Sequence, residues 1–210
     1  MNDLEDQANA RGLTIAGGFH PDNDDGAPTG TRTLFMLAPN GAAFWDIFTA
    51  STFYTDGQPN PIDRWSRHVI GTWACDLKAK ALFPFGGPPY RPFQSWALKT
   101  GRAFTSPVGF LIHADQGLMI SFRGALALKE WVDIPPPVPS PCAVCPAPCT
   151  TACPVSALTP KGYDVPTCKT YLADDPPCMT QGCAVRRACP VSQGFDRPTD
   201  QSAFHMRAFR

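Results

Sequence analysis

One long stretch of the chain, from Ile62 to about Lys80, places its apolar residues at the spacing of an α-helix. Steps of three and four positions separate these residues, which puts them on one helical face. They are Ile62, Trp65, Val69, Trp73 and Leu77. The pattern predicts an amphipathic helix whose apolar face packs on a hydrophobic core. Cys75 lies within the helix, and we expect it to be a small buried hydrophobic side chain.

Shorter apolar runs on either side of this stretch predict strands that alternate with helices. The predicted strands span residues 13–19, 33–37 and 81–85, and the predicted helices span residues 3–11, 42–49 and 92–103. Residues 108–112 and 118–122 are predicted to pair as a β-hairpin. The prediction is therefore an α+β fold in which residues 1–134 form an α/β-type layered domain, a candidate cofactor-binding domain.

The last third of the chain differs in composition from the first two thirds. All five tryptophans lie at or before Trp131, and residues 135–141 read Pro-Pro-Pro-Val-Pro-Ser-Pro. This proline-rich segment predicts a stiff linker that leads into a second domain over residues 142–210. The second domain has few residues that build a hydrophobic core. Bound metal must therefore supply much of its folding energy.

Charge and hydropathy exclude some classes of partner. The formal net charge is zero and 17% of residues are charged, so there is no basic face to bind nucleic acid. No apolar run approaches the length of a membrane span, and the acidic start of the chain lacks the apolar core of a signal peptide. We expect a cytoplasmic protein, in a reducing compartment that keeps thiols free for metal.

The cysteines carry the candidate chemistry, because eight of the nine lie between residues 142 and 189. They are Cys142, Cys145, Cys149, Cys153, Cys168, Cys178, Cys183 and Cys189. The run opens with Cys-x2-Cys and closes with Cys-Pro, which is typical of a bacterial ferredoxin that binds two four-iron clusters. Eight thiolates are the ligand count for two such clusters. The intervals here are longer than usual, with x2, x3, x3 in the first run against x2, x2, x3.

The ligands are divided by the rule that the fourth cysteine of each run binds the other cluster. This rule assigns Cys142, Cys145, Cys149 and Cys189 to one cluster, and we call them the first cysteine set. It assigns Cys153, Cys168, Cys178 and Cys183 to the other cluster, and we call them the second cysteine set. Cys168 belongs to neither tight run, but it completes the count of eight.

Two other interpretations of the cysteines stay open at this point. Zinc also binds Cys-x2-Cys, although structural zinc usually takes two separated pairs and not a run of four that ends in Cys-Pro. A disulfide framework requires an oxidising compartment, which nothing in the sequence indicates. Iron–sulfur clusters are the interpretation that the spacing favours.

Histidines and arginines add few candidates. None of the four histidines forms an HxH or HExxH pattern. His113 ends a predicted strand, where functional residues commonly lie, and is the candidate cofactor-binding residue. Arg186 and Arg187 lie inside the second cysteine run, and they either compensate the charge of an anionic cluster, serve in docking or are simply solvated.

The order of these segments resembles epoxyqueuosine reductase, an iron–sulfur and cobalamin enzyme that modifies tRNA. The segment Cys168-Lys-Thr-Tyr-Leu172 resembles a single cysteine followed by Tyr-Leu in that family, which implies that Cys168 is a ligand. Residues 106–113 and the following Gly117-Leu118 resemble the strand–turn–strand before that family's clusters, where the upstream domain binds the corrinoid. The resemblance implies a dicluster ferredoxin-like second domain. The acid that donates a proton in that family has no counterpart in residues 85–89.

Three hypotheses for function follow. The first is a protein that transfers electrons through two [4Fe-4S] clusters to a redox partner protein. The second is a corrinoid-dependent reductase, an oxidoreductase whose clusters feed electrons to cobalamin in the first domain. It explains why about 130 residues precede the clusters, the size of a whole domain. The third is a non-enzymatic module whose metal is only structural.

Overall fold

The computed structural model describes residues 2–134, 136–159 and 162–210. The helices are α1 Asn2–Asn9, α2 Gly41–Thr49, α3 Thr52–Thr55, α4 Pro61–Asp76, α5 Phe93–Lys99, α6 Val165–Leu172, α7 Pro177–Gln181, α8 Ala184–Ala188, α9 Pro190–Gly194 and α10 Thr199–Phe209. The strands are β1 Leu13–Phe19, β2 Thr33–Pro39, β3 Lys80–Leu82, β4 Ala103–Thr105, β5 Leu111–His113, β6 Gly124–Leu128, β7 Leu158–Thr159 and β8 Gly162–Tyr163. This mixture confirms the predicted α+β class. Pro135, in the predicted linker, lies outside the described residues.

The chain forms two compact units. The first unit contains Met1–Arg102 and Ser121–Val138, and the second contains Ala103–Ile120 and Pro139–Arg210. Residues 103–120 therefore belong to the cysteine-bearing unit, although the sequence analysis assigns them to the first domain. The predicted boundaries at residues 134 and 142 stay a prediction.

A four-stranded sheet forms the centre of the first unit. Its order is β1-β2-β6-β3, and each neighbouring pair is antiparallel. Every residue of β2 and β6 is buried, which is why both strands are continuous apolar runs and not alternating patterns. Strand β1 has the predicted bounds, whereas β3 ends at Leu82 instead of Phe85.

Helix α4 is the long amphipathic helix that the sequence predicts, but it ends at Asp76 and not near Lys80. Lys78 adopts a φ of 53°, a left-handed conformation through which an α-helix does not continue. Ile62, Trp65 and Trp73 are buried as predicted, whereas Val69 and Leu77 are half-buried. Ile70 is fully buried in addition.

Cys75 is exposed, so the prediction that it is a buried hydrophobic residue is wrong. The helical repeat explains the error. Trp73 and Ala74 are each 2% exposed or less, and the next residue is rotated by about 100° around the axis, since one turn takes 3.6 residues. Cys75 therefore leaves the buried face of α4.

The predicted hairpin of residues 108–112 with 118–122 is also wrong. Strand β5 pairs antiparallel with β4, which precedes it, and no strand forms over residues 118–122. The turn between β4 and β5 is closed by a backbone hydrogen bond, in which the Ser106 N–H group donates to Phe110 O at 2.8 Å. Leu118 and Ile120 are buried, which accounts for the apolar character that suggested a strand.

The described helices contain none with the length and apolar character required to cross a membrane.

Among the described residues of the first unit, Arg123 is a buried charged side chain that lies between α4 and the sheet. Its Nε donates to Ser66 Oγ at 3.2 Å and its Nη2 to Asp63 Oδ1 at 2.5 Å. The guanidinium also lies 5.3 Å from the ring centre of Phe85. Burial lowers the pKa of Arg123, and the Asp63 carboxylate opposes that shift. Asp63 therefore compensates a cation that has lost most of its water.

We expect Asp63→Asn to destabilise the first unit by about 3 kcal/mol, because it leaves a buried cation without its partner. Urea unfolding followed by tryptophan fluorescence measures this directly, since all five tryptophans lie in the first unit. Asp56→Asn is the matched control, because Asp56 pairs with Arg64 at the surface and such pairs contribute little. Equal midpoints for the two variants would contradict this account of Asp63.

Candidate metal centre

The cysteines of the second unit lie on turns and on the ends of short helices. Cys149 lies in a single 3-10 turn, Cys168 within α6 and Cys178 within α7. Cys183 immediately precedes α8, and Cys189 lies between α8 and α9. Helices α7 and α9 begin at Pro177 and Pro190, where proline suits the helical φ and the missing N–H group costs nothing. Proline therefore fixes the point at which each helix starts beside a cysteine.

The first cysteine set lines one cavity of ≈ 280 Å³. Its members are Cys142, Cys145, Cys149 and Cys189. The other described residues of the lining are prolines, alanine and branched aliphatic residues, together with Ser106, which contributes a hydroxyl. Cys149 and Cys189 are 7% and 4% exposed and belong to the core of the unit, whereas Cys142 and Cys145 are half-buried. The crossover rule for ferredoxin cysteines groups these same four residues.

Burial and mutual repulsion set the acidity of this set. Burial raises the pKa of Cys142 and of Cys149, and the neighbouring thiolates raise both further. The charges of Cys145 and Cys189 raise the pKa of Cys142. The charges of Cys142, Cys189 and Cys145 raise the pKa of Cys149. Cys142, Cys145 and Cys189 are therefore close enough to Cys149 for their charges to oppose its ionisation.

Cys189 differs from its neighbours because its thiolate accepts hydrogen bonds. Burial acts to raise its pKa, but the N–H groups of Ser192, Leu118 and Val191 and the Ser192 hydroxyl bring the pKa below its ordinary value. The Leu118 N–H group also donates to Ser192 Oγ at 2.8 Å. Donors from α9 and from the inserted segment 103–120 therefore meet at this sulfur.

Members of the second cysteine set lie close enough together for their charges to act on one another. Burial raises the pKa of Cys178, with further contributions from Cys183 and Cys168, while the Ala184 N–H group and Arg187 oppose the shift. Cys178 is 6% exposed and packs with Leu172 and Met179, against which Cys168 is also packed.

Two tyrosines link Cys153 to the second set. Burial raises the pKa of Tyr163 well above its ordinary range, helped by a hydrogen bond with Cys168 and by the charges of Cys168, Cys183 and Cys153. Burial raises the pKa of Tyr171 too, with contributions from Cys178 and Cys153. Each tyrosine therefore lies near more than one member of the set.

The two sets adjoin within the second unit. The core around Cys149 and Cys189 is also contacted by Cys153 and Cys183, which belong to the second set. Sulfur-bearing and aliphatic side chains therefore share this core. None of the nine cysteines, all of which lie in the described part of the chain, forms a disulfide.

Arg186 and Arg197 of the second unit are half-buried, and protein atoms surround both guanidinium groups. Arg186 donates to Leu118 O and its guanidinium lies 5.0 Å from the ring centre of Phe110. Arg197 donates to Met119 O at 2.8 Å. Burial lowers the pKa of Arg186, which the charge of Cys183 opposes. Burial and repulsion from Arg186 lower the pKa of Arg197 to about 10. Arg186 is therefore not simply solvated.

Within the described residues, no three or more histidine, cysteine, aspartate or glutamate side chains are arranged to hold a metal ion. The role of the eight cysteines as cluster ligands stays a prediction.

His113 is 2% exposed and ends β5. Its Nδ1 accepts the N–H group of Asp115 at 3.2 Å, and its backbone pairs with Gly117. His113 is not among the described residues that line the cavity of the first set. Its predicted role in cofactor binding stays a prediction.

Sequence reasoning missed the part of the site that residues 103–120 supply. Ser106, Pro107, Ile112 and Leu118 form part of the cavity wall. No cysteine lies in that segment, so ligand spacing gave no signal for it. Arg197, eight residues after the last cysteine, was missed for the same reason.

Comparison with known proteins adds one structural likeness. No family model matches the chain, and no curated protein matches it. Among solved structures, the chain is similar to the crystal structure of selenomethionine-labelled epoxyqueuosine reductase, with 15% sequence identity and a TM-score of 0.49. The superposition covers 96% of this chain and 68% of that chain.

Proposed function

We propose that the second unit binds two [4Fe-4S] clusters and that the protein transfers electrons to a redox partner protein. The observation that carries this proposal is the cavity of ≈ 280 Å³ with four cysteines in its wall. Cys142 and Cys189 are 47 positions apart in sequence, so the fold has to bring them together. A four-iron cluster binds one thiolate at each iron, and its sulfur ligands therefore surround it and do not converge on one atom.

The chemistry of the cavity wall fits such a cluster. Each cluster supplies one-electron transfer at a potential that depends on hydrogen bonds to sulfur and on burial. The protein supplies both. Ala147 N–H donates to Cys145 Sγ at 3.4 Å in the first set, and Ala157 N–H donates to Cys153 Sγ at 3.3 Å in the second set. Cys149, Cys178 and Cys189 are buried. The proposed ligands are the first cysteine set for one cluster and the second cysteine set for the other.

The predicted cobalamin of the first domain stays a prediction, and electron transfer rests on the second unit alone.

The metal content of the anaerobically purified protein tests the proposal. We expect about eight iron atoms and about eight acid-labile sulfides per chain, since each of two cubanes contains four of each. EPR after dithionite reduction should show signals of two interacting clusters. Zinc without sulfide would overturn the proposal and support the structural metal module. Iron and sulfide that dithionite does not reduce would exclude electron transfer.

Removing one ligand from each set tests the assignment. Cys149→Ser and Cys178→Ser should each lose about half of the iron and sulfide, because each removes a thiolate from a different cluster. Iron and sulfide analysis of the two variants measures this.

Cys75→Ser is the matched control for both variants. Cys75 is exposed on α4 of the first unit, so its replacement should leave the iron and sulfide content unchanged. A loss of iron in Cys75→Ser, or full iron in Cys149→Ser, would show that the ligand sets are assigned wrongly.

A further inference from the structure

Ser106 is a polar residue in an otherwise apolar part of the cavity wall. It lies directly after β4 and is 5% exposed. It lines the same cavity as the first cysteine set. Its hydroxyl oxygen is shielded from solvent and has no hydrogen-bond partner among the described residues. A buried hydroxyl without a partner is costly, so a site that retains one normally provides an acceptor for it.

The backbone of Ser106 holds the side chain in place. Its N–H group donates to Phe110 O at 2.8 Å, and its carbonyl oxygen accepts the N–H group of Gly109 at 2.9 Å. Gly109 has a φ of 77°, a conformation that glycine adopts without strain. Both backbone groups of Ser106 are thus used by the turn, and only the hydroxyl is left for another partner.

The acceptors that the proposed cluster would bring are sulfur atoms. The other residues of the wall are cysteines and apolar residues, which offer the hydroxyl no oxygen side-chain acceptor. Thiolates and inorganic sulfides carry negative charge and accept hydrogen bonds from donors of the protein. A donor close to a cluster stabilises the more negative, reduced state and thereby raises the reduction potential.

We infer that the Ser106 hydroxyl donates a hydrogen bond to a sulfur of the cluster held by Cys142, Cys145, Cys149 and Cys189, and that it raises the reduction potential of this cluster. The inference rests on the proposed function, because the acceptor is part of the bound cluster. Ser106 acts here as a tuning residue and not as a ligand.

The test compares redox titrations of the wild-type protein and Ser106→Ala, followed by EPR. One of the two potentials should become more negative, with the equilibrium constant for reduction falling by up to about tenfold, which is about 59 mV for a one-electron couple. The other potential should be unchanged and serves as an internal reference. In D2O, pulsed ENDOR should show one exchangeable deuteron coupling fewer in Ser106→Ala.

Two further variants make the result specific to the hydroxyl. Ser106→Thr keeps a hydroxyl and should retain a potential near that of the wild type. Ser121→Ala is the matched control, because the Ser121 hydroxyl is also buried without a described partner but the residue is not among those that line the cavity. Its removal should leave both potentials unchanged.

Each outcome decides the inference. If Ser106→Ala has normal iron content and unchanged potentials, the inference is overturned but the proposed function stands. The same conclusion follows if Ser106→Thr shifts the potential as much as Ser106→Ala does. If Ser106→Ala loses half of its iron while Ser106→Thr keeps both its iron and a potential near that of the wild type, the hydroxyl is required by that cluster, which supports the hydrogen bond. Loss of iron in both variants overturns the inference. Absence of iron and sulfide from the wild-type protein overturns the proposed function, and this inference with it.

Discussion

The cost of ionising buried and closely grouped thiols is the constraint on which the second unit depends. Burial and neighbouring thiolates raise the pKa of Cys142, Cys149 and Cys178, so the metal-free protein favours neutral thiols at these positions. Ligands must ionise to bind metal, and binding therefore releases protons. The same sulfurs belong to the buried core. A cation at each set would thus remove the repulsion and tie the packing of the unit to metal binding.

The chain compensates sulfur charge with groups that are already fixed in position. Backbone N–H groups donate to Cys145, Cys153 and Cys189, and these dipoles need no rearrangement when charge develops. Arg186 and Arg197 add two enclosed positive charges that repel each other. Unpaired buried charges are expensive, and Arg186 gains from the negative charge of Cys183. The negative charge of Cys183 therefore offsets part of the cost of burying Arg186.

Periodicity predicted β1 and α4 because these elements are decided locally, whereas β6, which pairs with both β2 and β3, was not predicted. Strand β1 has the predicted bounds, and α4 buries Trp65 and Trp73 as its spacing requires. The errors arise where tertiary contacts decide. Residues 118–122 are apolar because Leu118 and Ile120 are buried in a turn and not because they form a strand. Cys75 lies one position beyond the buried face of its helix, a difference that spacing does not resolve at the edge of an apolar stripe.

Cysteine spacing carried information about ligands but none about the wall around them. The chain enters the second unit at Ala103, leaves it after Ile120 and returns at Pro139, so the wall of the first site is assembled from segments that are distant in sequence. Gly117 shows how closely the inserted segment is fitted, since a Cβ atom there would lie 2.4 Å from the Ser192 nitrogen. Ser192 in turn donates to Cys189. The inserted segment therefore positions donors at a proposed ligand without containing a cysteine, so the spacing of the cysteines gives no indication of this role.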